Sequence, residues 1–206
     1  MKKIIVLFVF TGILLSCGPL LPPRIDLLPM QQIGLITFSQ QGAEGPLNMM
    51  ATQRFLQEIT WAQPGIRIVE LGTLEEVLAD TGHQRLGPEA ARAIGQRFRV
   101  TSFFTGRVAV SEIRPELDLA VLVKSLGIRA KFDIELNARL IESQGGATLW
   151  TDGFAAEGTV AHVRFTEGRL PSFAIRDHEK AYRQMVERMV LEITRDFRPS
   201  RGYRRY

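Results

Sequence analysis

The chain has 206 residues, of which 45% are hydrophobic and 23% are charged, and its formal net charge is +4. This hydrophobic content is enough for a folded core and excludes a globally disordered protein. The positive charge comes from two lysines near the N-terminus and four arginines in the last nine residues, so the body between them is close to neutral. A near-neutral body argues against nucleic-acid binding.

The N-terminus carries a short apolar segment that ends at the one cysteine of the chain. An apolar run from Ile4 to Leu15 follows the two lysines, and Ser16 then precedes Cys17. The run has about a dozen residues, whereas a membrane-spanning helix takes roughly 20, so a cleaved leader is favoured over a transmembrane helix. The sequence Leu-Leu-Ser-Cys resembles the bacterial lipobox; an ordinary cleaved signal peptide is the alternative.

The lipobox resemblance implies a membrane anchor. Residues 1–16 would be the lipoprotein signal peptide, and Cys17 would carry a diacylglycerol and an N-acyl chain such as palmitate. Two or three acyl chains hold a protein stably at a bilayer, whereas one does not. Gly18, where an aspartate would favour the inner membrane, indicates the outer membrane, with the body facing the periplasm.

Proline dominates the residues after the cysteine. Four prolines lie between Gly18 and Gln32, and this density disfavours helix and favours extended, semi-rigid backbone. We predict that residues 17–32 form a lipidated tether that lifts the domain off the bilayer by up to roughly 45 Å.

The first half of the body predicts strands that alternate with helices. The short apolar runs indicate buried strands, and apolar residues at three- and four-residue spacing indicate helices. The predicted elements are a strand over Ile33–Ser39, a helix over Asn48–Trp61, a strand over Ile66–Leu71, a helix opened by a Thr73–Glu76 capping box, a helix over Glu89–Phe98 and a central strand over Arg99–Ile113.

The second half contains the clearest strand pattern. Apolar and polar residues alternate from Arg129 to Leu140, which predicts a strand with one wet face; a glycine turn leads to its partner, Ala147–Ala156. Leu117–Ile128 is ambiguous between a short helix and a hairpin arm, and an apolar stripe predicts a long C-terminal helix over Ile175–Phe197. The predicted fold is an α/β, or α+β, sandwich. It has a mixed sheet of about five strands with helices packed on it, one domain over residues 33–198 and a basic tail over 199–206.

Several phrases of the sequence resemble a known group of lipoproteins. These phrases are IGLITF, IRIVELGTLEEVLAD, AARAIGQRFRVTSFFTGRV and KFDIELNARLIESQGGATLW. The group contains the CsgG-type curli-secretion lipoproteins, the lipoprotein activators of penicillin-binding proteins, and the N-terminal domain of the Tol-system β-propeller protein. The resemblance covers roughly Ile33–Trp150 and implies a shared fold, while the functions within the group differ.

No combination of residues in the sequence indicates catalysis. His83, His162 and His178 lie in separate segments without metal-ligand spacing, and no nucleophile elbow, phosphate loop or dinucleotide fingerprint is present. We therefore expect no enzyme, no metal and no cofactor.

Two sets of residues are candidates for binding. The first is the wet face of the alternating strand, a predicted contact face for a protein partner: Arg129, Lys131, Asp133, Glu135 and Arg139. The second is the C-terminal tail, a predicted contact for an anionic surface: Arg198, Arg201, Arg204 and Arg205. Simple solvation of both sets is the alternative.

The sequence thus predicts a membrane-anchored periplasmic lipoprotein that acts as a non-catalytic binding or scaffold module. Its partner would be a peptidoglycan synthase, a Tol-like or secretion assembly, or a sister subunit. The alternative is an oligomeric outer-membrane secretion channel of the curli-transport type. That alternative needs additional transmembrane hairpins with strands of about 9 to 11 residues, and Leu117–Ile128 is too short to supply a pair.

Overall fold

The structure is a computed structural model that describes residues 20–42, 46–111, 114–117, 127–164 and 178–201, with side chains described over 20–42, 46–111, 132–158 and 183–200. Its elements, in chain order, are β1 (Leu20–Leu21), β2 (Ile33–Thr37), β3 (Ser39–Gln41), α1 (Leu47–Ala62), β4 (Ile68–Thr73), α2 (Leu74–Asp80), α3 (Pro88–Phe98), β5 (Ser102–Val110), β6 (Arg114–Leu117), β7 (Gly127–Glu142), β8 (Thr148–Arg164), α4 (His178–Ile193), a 3₁₀ turn (Arg195–Phe197) and β9 (Ser200–Arg201).

The main sheet is mixed. Strand β2 lies between β4 and β5 and is parallel to both, whereas β7 is antiparallel to β5 on one edge and to β8 on the other. Strand β3 continues the line of β2 along β5, and β6 pairs with the far part of β7. This arrangement confirms the predicted α/β fold with a mixed sheet and helices packed on it.

One face of the sheet carries the main core under α1 and α4. The core contains a chain of aromatic rings in contact: Phe55 lies 5.1 Å from Phe104, and Phe197 lies 5.7 Å from Phe104 and 4.7 Å from Trp150 between ring centroids. Edge-to-face contacts of this kind stabilise beyond their buried area. The 3₁₀ turn that contains Phe197 is therefore fixed to the centre of the sheet.

The opposite face is covered only in part. Helices α2 and α3 bury a smaller cluster over β2 and the start of β5, with Ile36, Val77, Ile94 and Phe103 almost inaccessible. Along β7 this cluster extends only to Ile141. Beyond that point, within the described residues, the second face of β7 and β8 has no helix on it.

The proline-rich segment packs onto the domain from Leu20 onward. Strand β1 pairs with β9, the amide of Ile25 donates to the carbonyl of Asp196 at 3.1 Å, and Leu27 is fully buried in the main core. The side chain of Gln63, also buried, accepts from the Leu27 amide and donates to the Ile25 and Phe197 carbonyls. This differs from the free tether expected from the prolines. Proline disfavours helix but allows an extended segment to dock, and here apolar side chains between the prolines reach the core.

Strand β8 continues past its predicted end at Ala156 to Arg164, and it contains two glycines, one within the predicted range and one beyond it. Gly153 pairs with Asn137 and Gly158 pairs with Phe132, and in both pairs a Cβ on the glycine would collide with the partner's side chain. These positions therefore need glycine to accommodate large cross-strand neighbours. Gly106, in contrast, causes no irregularity, since the pairing of β5 with β7 runs unbroken from Ser102 to Val110.

Three other boundaries follow from the described residues. The capping box at the start of α2 and the proline in the first turn of α3 are as predicted. The C-terminal helix α4 is described over His178–Ile193 and gives way to the 3₁₀ turn before the predicted end at Phe197, while the predicted start at Ile175 lies outside the described residues. In the described part of the chain, no helix combines the length and the apolar character needed to cross a bilayer.

Candidate functional site

The uncovered part of the sheet presents a polar surface, which we call the polar face. It is built by the period of two along neighbouring strands: the side chains that alternate with the core residues of β5, β7 and β8 all point to this side. Its members are Ser39, Thr105, Arg107, Asp133, Glu135, Asn137, Arg139 and Thr151.

A cleft of about 450 Å³ lies where the polar face meets α2. Leu74 at the start of α2 and Leu86 before α3 form its apolar wall, and the floor is made by Thr105, Arg107 and Arg139 with their polar neighbours. The floor is flat sheet and the wall is one-sided, so the cleft is open along β7. An extended or flat group fits this shape better than a compact molecule.

The positive charge of the cleft is not neutralised within the described residues. The side chains of Arg107 and Arg139 are exposed and make no ion pair or hydrogen bond with the described residues. The side-chain amide of Asn137 donates to Glu135 Oε1 at 2.7 Å. In the register Arg107 pairs with Asn137, so Arg139 is its diagonal neighbour, with Cα atoms roughly 7–8 Å apart. Two guanidinium groups at this spacing, with Thr and Ser hydroxyls beside them, can bind a carboxylate or a phosphate.

The structure brings part of the predicted contact face together. Asp133, Glu135 and Arg139 share one face of β7, with Glu135 and Arg139 exposed and Asp133 half-buried. Asp133 is fixed through its backbone, because its amide donates to Ser111 Oγ and its carbonyl accepts from the Ser111 amide, both at 2.8 Å. The backbones of Arg129 and Lys131 continue the same strand, and their side chains lie outside the described residues.

The first arginine of the predicted tail belongs to the folded domain. Arg198 Nη2 donates to the Leu191 carbonyl at 2.6 Å and to Thr194 Oγ1 at 2.7 Å, and it lies 3.6 Å from Glu58 Oε2. It therefore closes the C-terminal end of α4 and links it to α1. The backbone of Arg201 lies in β9, but its side chain is outside the described residues. Cys17, Arg204 and Arg205 lie outside the described residues entirely.

The titratable groups of the described residues do not form a catalytic cluster. No group of three His, Cys, Asp or Glu residues is placed there to hold a metal ion, and His83 bonds through Nδ1 to the Thr81 carbonyl of its own turn. The pKa of Glu76 is lowered because its carboxylate accepts hydrogen bonds from the amide and the hydroxyl of Thr73. This is the chemistry of a helix cap.

Sequence reasoning missed the residues of the cleft that lie outside β7. Arg107 and Thr105 lie in the segment predicted only as a central strand, Arg99–Ile113, and neither they nor Ser39 and Thr151 were predicted as site residues. The signal was present in β5 itself, where Phe103, Thr105 and Arg107 alternate with Phe104 and Val108. This alternation identifies a site only once the cross-strand register shows that Arg107 lies diagonally opposite Arg139.

Comparisons with known proteins found similar folds only. No protein-family profile and no curated protein matches the chain. Among solved structures, PelC from Paraburkholderia phytofirmans, a dodecamer, is 11% identical with a TM-score of 0.42, covering 90% of this chain and 95% of its own.

Two further solved structures give the same picture. The lipoprotein GNA1162 from Neisseria meningitidis is 13% identical with a TM-score of 0.40, covering 76% of this chain and 98% of its own. The C-terminal domain of LpoB from Escherichia coli is 12% identical with a TM-score of 0.39, covering 64% and 87%. At identities and TM-scores this low, these likenesses carry no argument about what this chain binds.

Proposed function

We propose that this protein is a lipid-anchored, non-catalytic binding module of the bacterial cell envelope. The anchor would be Cys17, and the polar face would contact an envelope protein such as a peptidoglycan synthase, a Tol-like or secretion assembly, or a sister subunit. The localisation would be the outer membrane, with the domain in the periplasm.

The observation that carries the binding role is a pair of arginines whose side chains have no partner among the described residues, on a sheet face that no described helix covers. A polar face of an antiparallel sheet is stable in water by itself, so the binding role depends on what the cleft adds to this face. Arg107 and Arg139 sit in a cleft with an apolar wall, which places charge and apolar area side by side. Interfaces combine such features, and arginine is among the residues enriched in them.

The partner side would be acidic. The two guanidinium groups are diagonal neighbours on adjacent strands, so an extended segment that lies across β5 and β7 would meet both of them. A carboxylate near Leu74 and Leu86 would also have apolar neighbours, which strengthens a charge-assisted hydrogen bond. Glu135 is held by Asn137 and would repel an acidic segment placed too far along β7.

The test is charge reversal with crosslinking in the native envelope. Arg107→Glu and Arg139→Glu should each remove most of the crosslinked partner, because like charges would then face each other. Arg188→Glu is the matched control, since Arg188 is an exposed arginine of α4 on the opposite side of the sheet. Equal crosslinking in all three variants would contradict the role of the polar face.

The anchoring part has its own test. Cys17→Ser should abolish labelling by radioactive palmitate and release the protein from the membrane fraction. A protein that remains in the membrane fraction without label would contradict lipidation, whatever the result of the charge reversals.

A secretion-channel subunit is the second candidate, and one observation favours it. Strands β7 and β8 continue past the last residue pair of β5 with β7, Val110 with Ile134, and form a ribbon to Gly127 and Arg164 with β6 at its side. Such a ribbon could join neighbouring subunits. Electron microscopy of detergent-extracted protein would show rings for the channel and single particles of one copy, or of one copy with its partner, for the binding module.

A further inference from the structure

The exposed apolar side chains of the described residues gather at one end of the sheet. All the exposed large hydrophobic residues except Met49 lie on segments that meet at the end of the sheet where β2 and β5 begin and β7 ends. We call this surface the apolar end. Its exposed residues are Leu20, Leu21, Leu28, Trp61, Leu149 and Leu191.

Hydrogen bonds show that these segments meet. Gln63, two residues after Trp61, bonds to Ile25, Leu27 and Phe197 and so joins the end of α1 to the N-terminal segment and the 3₁₀ turn. Leu28 lies over the turn after α1, where its Cδ2 atom is 3.9 Å from the point that a Cβ atom on Gly65 would occupy. Strand β8 begins at the same end, and Trp150 there contacts the ring of Phe197.

Trp61 dominates this surface. Its side chain is 75% exposed, although a tryptophan buries more apolar area on contact than any other residue at this end. Leu28 is 60% exposed and lies next to fully buried Leu27. A surface of this composition normally marks contact with a partner or a lipid interface.

Arginines surround the apolar residues. Arg67 and Arg99 are exposed in the loops before β4 and β5. Arg24 and Arg195 are also exposed, and they pair with Asp196 at 3.1 Å and with Glu192 at 3.6 Å at the surface of the 3₁₀ turn. Tryptophan between arginines is the pattern of a membrane interface, where the ring sits at headgroup depth and the guanidinium groups reach phosphates.

The route of the chain places this end near the anchor. Strands β1 and β9 are antiparallel, with Leu20 opposite Arg201, so the first residue of β1 and the last residue of β9 lie side by side. Cys17 precedes Leu20 by three residues, which reach roughly 11 Å at most. The predicted tether of roughly 45 Å is therefore shortened to this reach, because the rest of it is packed on the domain.

We propose that the apolar end docks onto the phospholipid surface in which the Cys17 acyl chains are inserted. Trp61 and Leu28 would enter the headgroup region, with Arg67, Arg99 and Arg195 at the phosphates. The inference rests on the lipidation proposed above, but it concerns a separate property: the domain lies on the bilayer instead of standing away from it.

Tryptophan fluorescence tests this directly, because the chain has two tryptophans in opposite environments. Trp150 is buried in the core and Trp61 is exposed. The full-length lipidated protein would be reconstituted in phospholipid vesicles with brominated acyl chains. In Trp150→Phe, where Trp61 is the sole emitter, bromine should quench most of the emission; in Trp61→Phe the emission should stay unchanged.

A charge placed in the apolar end should reverse the effect. In the Trp150→Phe background, Leu28→Glu should reduce the quenching severalfold. Met49→Glu is the matched control, because Met49 is 59% exposed but lies in the first turn of α1, at the other end. Trp150→Phe keeps an aromatic ring beside Phe197, and circular dichroism of this variant checks that the fold is retained before the vesicle measurement.

The outcomes separate docking from anchoring. Vesicle flotation reports whether the lipids hold the protein, and quenching reports where Trp61 lies. Protein that floats with the vesicles while Trp61 stays unquenched would overturn the docking proposal and leave the anchor intact. Trp61 emission that shifts to the blue without quenching would also overturn it, since the surface would then be covered by a second copy of the chain. Protein that does not float would refute the anchor, and the docking that rests on it.

Discussion

Leu27 offers a sharp test of how the proline-rich segment behaves. In the structure its side chain is fully buried in the main core, although the segment is short of regular structure and was expected to be a free tether. Leu27→Ala would leave the sequence equally rich in proline and remove only the packed side chain.

The magnitude follows from the burial. The substitution removes three carbon atoms from the core, which is worth about 2.4 kcal/mol at about 0.8 kcal/mol for each methylene-sized group. The cavity left behind adds to this, so the free energy of unfolding should fall by about 3 kcal/mol. With a urea dependence of about 2 kcal/mol per molar, the midpoint should move by about 1.5 M.

Urea unfolding of the detergent-solubilised full chain measures this shift, and the next residue supplies the control. Leu28 is 60% exposed, so Leu28→Ala should change the free energy of unfolding by less than about 0.5 kcal/mol. If Leu27→Ala behaved like Leu28→Ala, the segment would be a tether after all, and the short link between Cys17 and the domain would be refuted.

Four further predictions concern single residues of the framework. Gly106→Ala should lower the free energy of unfolding by about 1–3 kcal/mol, because its Cβ would lie 2.6 Å from the Asn137 carbonyl oxygen; thermal unfolding checks this. Thr73→Ala should cost about 1 kcal/mol through loss of the α2 cap. Because the pKa of Glu76 is lowered in the folded state, its contribution is full above the ordinary value of 4.5 and is lost as pH falls through the lowered pKa. The stability gap between the parent and Glu76→Gln should therefore close on acidification, and a gap that is constant with pH would contradict the assignment. Gln63→Ala should speed hydrogen exchange in the N-terminal segment and the 3₁₀ turn together, since both depend on its amide.

Much of the fold was predictable because local patterns carry it. The alternation in β7 fixes which residues face the core and which form the polar face, and Thr73 with Glu76 marks the start of α2 through a short-range hydrogen-bond pair. Both signals act within a few residues, so tertiary contacts only reinforce them.

The parts that were missed depend on partners far along the chain. Leu27 is buried by residues of α1, α4 and the 3₁₀ turn, and no local pattern reports that. Gly158 looks like the end of a strand until Phe132 is placed opposite it. Arg107 becomes part of a site only beside Arg139, which is on another strand. Sequence spacing predicts elements, while register and docking decide which side chains meet.

The geometry of the anchor bears on the choice between the two proposed functions. Strand β7 has 16 residues and so spans roughly 50 Å, from Glu142 at the apolar end to Gly127 at the far end of the ribbon. Lipids on Cys17, three residues before Leu20, would hold the apolar end at the bilayer. The ribbon would then point away from that membrane. The polar face would lie roughly perpendicular to the membrane plane, where a partner in the periplasm can reach it. A channel that inserts the ribbon into the same membrane requires the reverse orientation, with Trp61 far from lipid. Quenching of Trp61 by brominated lipid thus excludes this form of the channel, whereas rings of subunits with an unquenched Trp61 would favour it over the binding module.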